Sequence, residues 1–278
     1  MFNDRCSDLR RILLIQDLLR INIFADWLGF QNAMMQEQQG MKSKFVSGVM
    51  DLLESIEYRR IESSEDLEEI ARIRYKAFTM VGLAPANGPL LIDELDFKPN
   101  AHVLGIYFDE RLVSTVRVHH VTSAHRDSVA VSHFPDVMNP LLDAGQSFID
   151  PVRFAADPEI MRDYPALPYL TLRVATMATD YFKTDYCLSV IKPNHRAFYK
   201  RIFNSTPLAE PRFFPKYESN IEIHASNAHT ELQKIYARFP FFNSEALERR
   251  MMFAPNSVGS LPILTVRPTA RYAQARVH

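Results

Sequence analysis

The sequence is poor in cysteine, glycine and net charge, and it has no long apolar run. Only Cys6 and Cys187 occur among its 278 residues. That is too few for a disulfide scaffold and points to a reducing, cytoplasmic setting. The chain has eight glycines, whereas average usage would give roughly nineteen; a diphosphate gripped by a glycine-rich loop is therefore disfavoured. Thirty-two basic and thirty-three acidic side chains leave a net charge of −1. This removes the broad positive field on which non-specific nucleic-acid binding depends. No stretch approaches the roughly 20 apolar residues that span a bilayer. The charged start, with Asp4, Arg5, Asp8, Arg10 and Arg11, lacks the form of a signal peptide.

What is present is ordinary globular material: 47% hydrophobic and 23% charged residues, enough to bury a full core. Residues 8–36 place Leu9, Ile12, Leu13, Leu19, Ile23, Trp27 and Phe30 at helical spacing among charges. They predict an amphipathic N-terminal helix within a 1–50 extension, packed on the domain or on a second copy; attachment to a membrane surface is the less favoured use. Residues 36–44 read as a polar linker. From residue 56 strands and helices alternate. The pattern predicts a strand over 56–61, a helix over 66–80 opened by Ser63-x-x-Asp66, and a hairpin over 103–121 turning at Asp109-Glu110. It continues with a short helix over 134–143 broken by Pro140 and a strand over 147–156 interrupted by Pro151. A helix with Leu167, Leu170, Val174, Met177 and Tyr181 inward follows, then a buried strand over 186–192, a helix over 194–203 and a strand over 216–225. This order predicts an α/β domain over 56–225 with a mixed sheet and helices on its faces. Residues 226–253 read as a helical extension, and 254–278 as a mobile tail.

The residues able to carry chemistry begin with Arg74. It falls four residues after Ile70 and four before Phe78, on the apolar face of its helix. A guanidinium there requires a carboxylate, because a buried unpaired charge is severely unfavourable. Asp93 and Asp96, flanked by Ile92, Leu95 and Phe97, are the natural partners. Arg117 lies mid-strand between Val116 and Val118, where a solvated face and a buried ion pair are equally open. Asp150 and Arg153 fall on opposite faces under strict alternation, but Pro151 signals a bulge, and one extra residue would bring both to one side. Three arginines and three aspartates in apolar contexts thus suggest one buried electrostatic cluster. It is either a structural ion-pair network or a polar substrate pocket on the sheet.

The succession Arg74-x-x-x-Phe78, Asp93-x-x-Asp96, Arg117, Phe134 and Asp150-x-x-Arg153 resembles the signature of the N-acyl-homoserine lactone (autoinducer) synthases, over roughly residues 56–225. Two positions depart from it. The tryptophan that those enzymes carry after the first arginine is missing, residues 81–85 reading Val-Gly-Leu-Ala-Pro, and Asp150 stands in place of a glutamate. These departures suit better the sister group that the chain also resembles, the N-acyl amino acid synthases of the FeeM type, within the acetyltransferase-like GNAT superfamily. The resemblance implies a GNAT-like mixed central sheet with helices on both faces. It implies transfer of a long acyl chain from the phosphopantetheine arm of acyl carrier protein to the amine of an amino acid, without a metal or a tightly bound cofactor. It also implies substrate-side roles for Arg74, Phe78, Asp93, Asp96, Arg117 and Phe134. The alternatives are a homoserine lactone synthase and, from another class, a non-catalytic sensor of acyl chains or acyl carrier protein.

Residues 193–201 are similar to the acetyltransferase segment in which an asparagine opens a helix and a tyrosine lies near the thioester sulfur, which implies these roles for Asn194 and Tyr199. Asn194 is also a good N-cap by residue type alone. No glycine occurs between Arg153 and Arg173, where a coenzyme A pyrophosphate would be wrapped by open backbone amides. A carrier-protein donor would be met by side chains instead, and Arg173, Lys192, Arg196, Lys200 and Arg201 cluster around the expected mouth of its arm. For the reaction, a bulged strand offers a free amide near Val152 to Phe154 to the developing oxyanion. Asp150 is the candidate for taking the ammonium proton, directly or through one water. Arg117 or Arg153 holds the acceptor carboxylate, which makes Asp150, Arg153 and Tyr199 the expected catalytic set. His119 and His120 face opposite sides of a strand, which argues against a shared metal site; either is a lesser candidate base. Cys187 reads as packing.

Overall fold

Among the described residues, strand alternation and helical periodicity assemble into one nine-stranded sheet with helices on both faces. The structure, a computed structural model, describes residues 40–80, 82, 91–215, 218–255 and 265–275. The helix expected over 8–36 lies outside the described residues.

Helix α1 (Gly40–Glu54) occupies part of the stretch expected as a linker and leads into β1 (Ile56–Arg60) and α2 (Ser64–Met80). The Ser63 hydroxyl accepts the Asp66 N–H at 3.1 Å, half of the expected capping box. A 3-10 helix (Glu94–Phe97) precedes the hairpin of β2 (Ala101–Phe108) and β3 (Arg111–Val121). Its two-residue turn holds Asp109 and Glu110 at φ 47° and 59°, as a turn matching the strand twist requires. Helices α3 (Val129–His133) and α4 (Pro135–Asp143) follow. Helix α4 runs through Pro140 instead of breaking there; that residue forfeits only the bond to the Asp136 carbonyl. Next come β4 (Phe148–Ala156), α5 (Pro158–Asp163), α6 (Leu167–Phe182) and β5 (Tyr186–Ile191). A 3-10 turn (Pro193–His195), α7 (Arg196–Phe203), β6 (Thr206–Pro207), β7 (Arg212–Phe214) and β8 (Ser219–Asn227) complete the expected domain.

The strand order is β6-β8-β5-β4-β3-β2-β1 and then a final strand β9 (Thr265–Val266), with β7 also paired to β8. Every pairing is antiparallel except β4 with β5, which run parallel and pair only at Phe148 with Tyr186 and Ile149 with Cys187. The pairing stops just before Pro151, which has no N–H to give to a ladder. Between β3 and β4 the register runs from Thr115 opposite Ala155 to Arg117 opposite Val152. Arg153 and Phe154 therefore share one partner position, that of Val116. This is the expected bulge, and it puts Arg153 at φ 55°.

Helix α6 crosses one face of the sheet. Its Leu170, Val174 and Met177 pack with Ile56, Leu104, Val116, Val118 and Ile149. On the other face Phe134, Met138 and Leu142 pack with Val121, Phe148, Leu188 and Ile223, and α2 lays Ile70 and Ile73 against Val103 and Leu112. Each such side chain stabilises by about 1.5–3 kcal/mol on burial. Among the described residues no helix is long and apolar enough to cross a membrane.

The C-terminal segment holds the expected helices and departs from expectation only beyond residue 254. Helix α8 (Ala228–Arg238), a 3-10 turn (Pro240–Phe242) and α9 (Ala246–Phe253) cover α6. Residues 265–275, expected within a mobile tail, add β9 to β1 and end in α10 (Ala270–Ala275). The anchor is Arg173. This arginine, expected at the mouth of a pantetheine arm, is fully buried, meets Glu248 with both terminal nitrogens at 2.5 and 2.8 Å, and donates to the Phe241 and Asn243 carbonyls. It cannot meet an acidic protein surface, because its charge is already matched inside. Glu248 Oε2 also accepts the Thr269 N–H at 2.8 Å, which ties the last segment to the same pair.

Replacing Glu248 by Gln leaves a buried guanidinium unmatched and should cost about 3–5 kcal/mol of unfolding free energy. Urea denaturation reads the loss, and amide exchange should rise over residues 265–275. Unchanged stability would show that the pair is not the anchor.

Candidate active site

Asp93 and Asp96 face the sheet because the chain between them closes into a capped 3-10 turn. The Asp93 carboxylate accepts the Leu95 N–H, and the Asp96 carboxylate accepts the Asp93 N–H. The two carboxylates also meet three arginines from three elements. Asp96 Oδ1 lies 2.8 Å from Arg74 Nη1 on α2 and 3.0 Å from Arg117 Nη1 on β3. Asp93 Oδ1 lies 2.6 Å from Arg117 Nη1. Asp93 Oδ2 takes the fork of Arg153, with Nε at 3.1 Å and Nη2 closer. Arg74 and Arg117 are fully buried. The Arg153 guanidinium lies 5.8 Å from the centre of the Phe78 ring, so Phe78 forms a wall of the same cluster.

Five of the charged residues singled out from sequence thus converge, and their charges do not cancel. Three guanidinium groups face two aspartates, and Nε and Nη2 of both Arg74 and Arg117 have no acceptor among the described residues. Burial pushes the Arg74 pKa down, against the pull of Asp96. Burial alone would raise Asp93, but the hydrogen bonds and charges of Arg153 and Arg117 outweigh it and hold its carboxyl at about 2.

The sixth residue, Asp150, lies on the same face and is fully buried. Its Oδ2 accepts the Ala130 N–H at 3.0 Å, at the start of α3. Its Oδ1 has no hydrogen-bond partner among the described residues. Burial raises this carboxyl to about 6, although the α3 amides, Ser128 and the Arg117 charge all pull it down. Asp150 is therefore a stronger base than an ordinary aspartate. Phe134, at the junction of α3 and α4, sits among Val121, Phe148 and Leu188 rather than in the charge cluster.

On the opposite face, where β4 and β5 part, a cavity of about 30 Å³ lies between Pro151, Cys187 and Ser189 on the strands and Thr176, Thr179, Tyr199, Phe203 and Leu232 on the helices. Burial, with a smaller contribution from the neighbouring Cys187, raises the Tyr199 pKa; burial pushes the Cys187 thiol up to about 12, so it is a neutral lining group at physiological pH. The cavity has a signature in the residues of α6 that the expected site did not include. Leu172, Ala175, Thr176 and Thr179 mark one face of α6 with mostly small residues, which leave space beneath a helix.

The basic residues of α7 divide. Arg196 is tied to Glu222, while Lys200 is exposed. Asn194 does not cap α7. It lies inside the Pro193–His195 turn, and the cap position of α7 is His195, without a side-chain bond; Pro193, preset for the first helical position, starts the turn one residue earlier.

The sequence matches the model of the FeeM family of N-acyl amino acid synthases over residues 69–227, more than half of the chain. No curated protein matches it. Among solved structures it resembles FeeM, an N-acyl amino acid synthase from uncultured soil microbes, at 16% identity and TM-score 0.52, over 62% of this chain and 91% of that one. It is also similar to BjaI, a CoA-dependent acyl-homoserine lactone synthase, at 16% identity and TM-score 0.48, over 66% of this chain and 89% of that one. A third similarity is to an acyl-CoA N-acyltransferase from Pseudomonas aeruginosa, at 16% identity and TM-score 0.43, over 61% and 97%. The first of these establishes the GNAT-like fold.

The cluster orders two variants. Asp96→Asn removes the one charge shared by two fully buried arginines and should cost about 3–5 kcal/mol. Asp93→Asn, whose side chain is 28% exposed, should cost less than half of that. The Asp93 contribution is present above the ordinary aspartate range and is lost as pH falls through about 2. Denaturant midpoints for both variants at pH 7 check the order, and equal losses would refute it.

Proposed function

Because the chain belongs to the FeeM family of N-acyl amino acid synthases and is thereby an N-acyltransferase, we propose that it moves a long acyl chain from the phosphopantetheine arm of acyl carrier protein to the α-amine of an amino acid. The observation that carries this reading is the set of open guanidinium N–H groups. Nε and Nη2 of Arg74 and Arg117 have no acceptor among the described residues, and a carboxylate brought by the acceptor would satisfy such groups in bidentate fashion. Arg153, forked onto Asp93, closes the rim.

The amine enters as an ammonium. Asp150 takes one proton, directly or through one water, and the freed nitrogen attacks the thioester carbon. The C–N bond forms, the C=O pair moves onto oxygen, and an amide in the bulged Val152–Phe154 segment receives the oxyanion. Collapse breaks the C–S bond, and the amide nitrogen gives up its second proton. One proton goes to the pantetheine sulfur, with Tyr199 beside it, and one leaves to solvent. The thioester supplies the driving force, and holding the two reactants together is the main catalytic contribution.

The parted strands support entry of the arm, since beyond Ile149 β4 has no partner on β5 among the described residues. The cavity behind them, about 30 Å³, has room for about one water. A long chain enters by moving Phe203 and Leu232, which line it. The short glycine supply, the half-buried Lys192 and the exposed Lys200 favour a carrier protein over coenzyme A. The chain is then organised as an extension over 1–50, a catalytic domain over 56–225 and a C-terminal extension clasping α6.

Incubation of the full chain with hexadecanoyl acyl carrier protein and a mixture of the twenty amino acids should yield an N-acyl amino acid, detected by mass spectrometry. Hexadecanoyl coenzyme A serves as the competing donor, and S-adenosylmethionine as the competing acceptor. Lactone release would make the protein a homoserine lactone synthase, and donor binding without product would make it a sensor. With the accepted amino acid, kcat/KM should fall on the acid side as pH drops through about 6, the value to which burial raises Asp150. Asp150→Asn should lower kcat by about 10²–10⁴-fold; a flat acid limb would remove Asp150 as the base.

A further inference from the structure

Asp150 on β4 and His119 on β3 are register partners, so their side chains leave the sheet side by side on one face. Both are fully buried. Each has one polar atom fixed and one without a partner among the described residues. Asp150 Oδ2 accepts the Ala130 N–H, and Oδ1 is unpaired. His119 Nε2 lies 3.2 Å from the Leu95 carbonyl oxygen, and Nδ1 is unpaired. A carbonyl oxygen only accepts, so Nε2 carries the ring hydrogen, and Nδ1 of the neutral ring offers a lone pair. Two unpaired acceptors beside each other are complementary once a hydrogen lies between them.

We propose that His119 is the proton partner of Asp150: when Asp150 takes the proton of the substrate ammonium, its new O–H is held by His119 Nδ1, directly or across one water. No bond other than that O–H forms, and the proton leaves by the same route. His119 is thus a positioning residue acting through Asp150, and this role rests on the reading of Asp150 as the base. The groups facing the pair are Arg117 on β3, Asp93 and Asp96 on the 3-10 turn, and Ser128 with the Val129 and Ala130 amides at α3; Cys187 on β5 and His102 on β2 lie across the sheet, on the α6 face. Burial, joined by the Arg117 charge, pushes His119 down to about 4, so the ring remains a neutral acceptor throughout the range in which Asp150 titrates. His120, the neighbouring histidine, stacks on Phe182 on the other face, ring centres 4.2 Å apart, and takes no part.

The pH profile of kcat/KM for wild type, His119→Gln and His119→Asn, with hexadecanoyl acyl carrier protein and the accepted amino acid, tests the pair. Gln keeps a donor toward Leu95 but removes the acceptor at Nδ1, whereas Asn restores an acceptor near that position. A hydrogen bond to the protonated carboxyl raises its pKa. His119→Gln should therefore move the acid limb about one pH unit lower and reduce kcat at pH 8 about tenfold, with acceptor KM unchanged. His119→Asn should return the limb toward wild type. An unmoved limb in both variants overturns the proposal. Should neither variant fold, nitrogen NMR of labelled histidine in wild type and Asp150→Asn decides. The His119 Nδ1 resonance should shift with a midpoint near pH 6 in wild type and lose that step in Asp150→Asn; identical titrations in both overturn the proposal. Absence of any acylated product from wild type would instead defeat the proposed function and leave the NMR coupling as a separate result.

Discussion

A guanidinium buried in an apolar layer must find a carboxylate, and the arrangement on one face of this sheet follows from that requirement. Asp96 serves both Arg74 and Arg117, which pulls α2, β3 and the 3-10 turn into one fixed relation. Asp93 serves Arg117 and Arg153, which ties the same turn to the bulge in β4. The bulge holds Arg153 in the left-handed region, an unfavourable place for a side chain with a Cβ, and the fork onto Asp93 helps to hold it there. Nε and Nη2 of Arg74 and Arg117 keep no acceptor among the described residues, so the network is anchored without being saturated.

The second constraint is the place where the sheet comes apart. β4 and β5 share two paired positions and then diverge at Pro151, which removes a donor where the ladder would continue. The cavity lies on the α6 side of that gap and the charge cluster on the other. An acyl group and an amine approaching from opposite faces would meet at the bulge. Asp150 and His119 lie at the same level of the sheet, where β3 and β4 are still in register. The C-terminal segment stands apart from this chemistry. Through Arg173 and Glu248 it braces the helix that roofs the cavity.

Much of this was legible in the residues themselves. Arg74 among helical apolar neighbours required a buried acid, and Asp93-x-x-Asp96 between apolar residues was the acid. Pro151 announced the bulge. The same logic applies to Arg173, which lies between Leu170 and Met177 on a strongly apolar helix and finds Glu248 as its partner. Reading it as a surface contact set the resemblance above the local environment. Asn194 misled in the other direction, because residue type favours a cap but Pro193 had already started the turn. Residues 265–275 looked featureless because a two-residue edge strand takes its order from the β1 backbone rather than from its own periodicity.

The amino-acid order alone determined the succession of strands and helices, the burial of particular charges and the position of the bulge, because these depend on residues a few places apart along the chain. Tertiary structure decided which acid answers which base. Arg74 meets Asp96 across 22 residues and Arg173 meets Glu248 across 75. It also decided that His119 stands beside Asp150, and that the cavity opens on the face away from the arginines. Those outcomes rest on strand register and helix docking. A local pattern specifies that a charge needs a partner, but only the folded chain's geometry selects the one within reach.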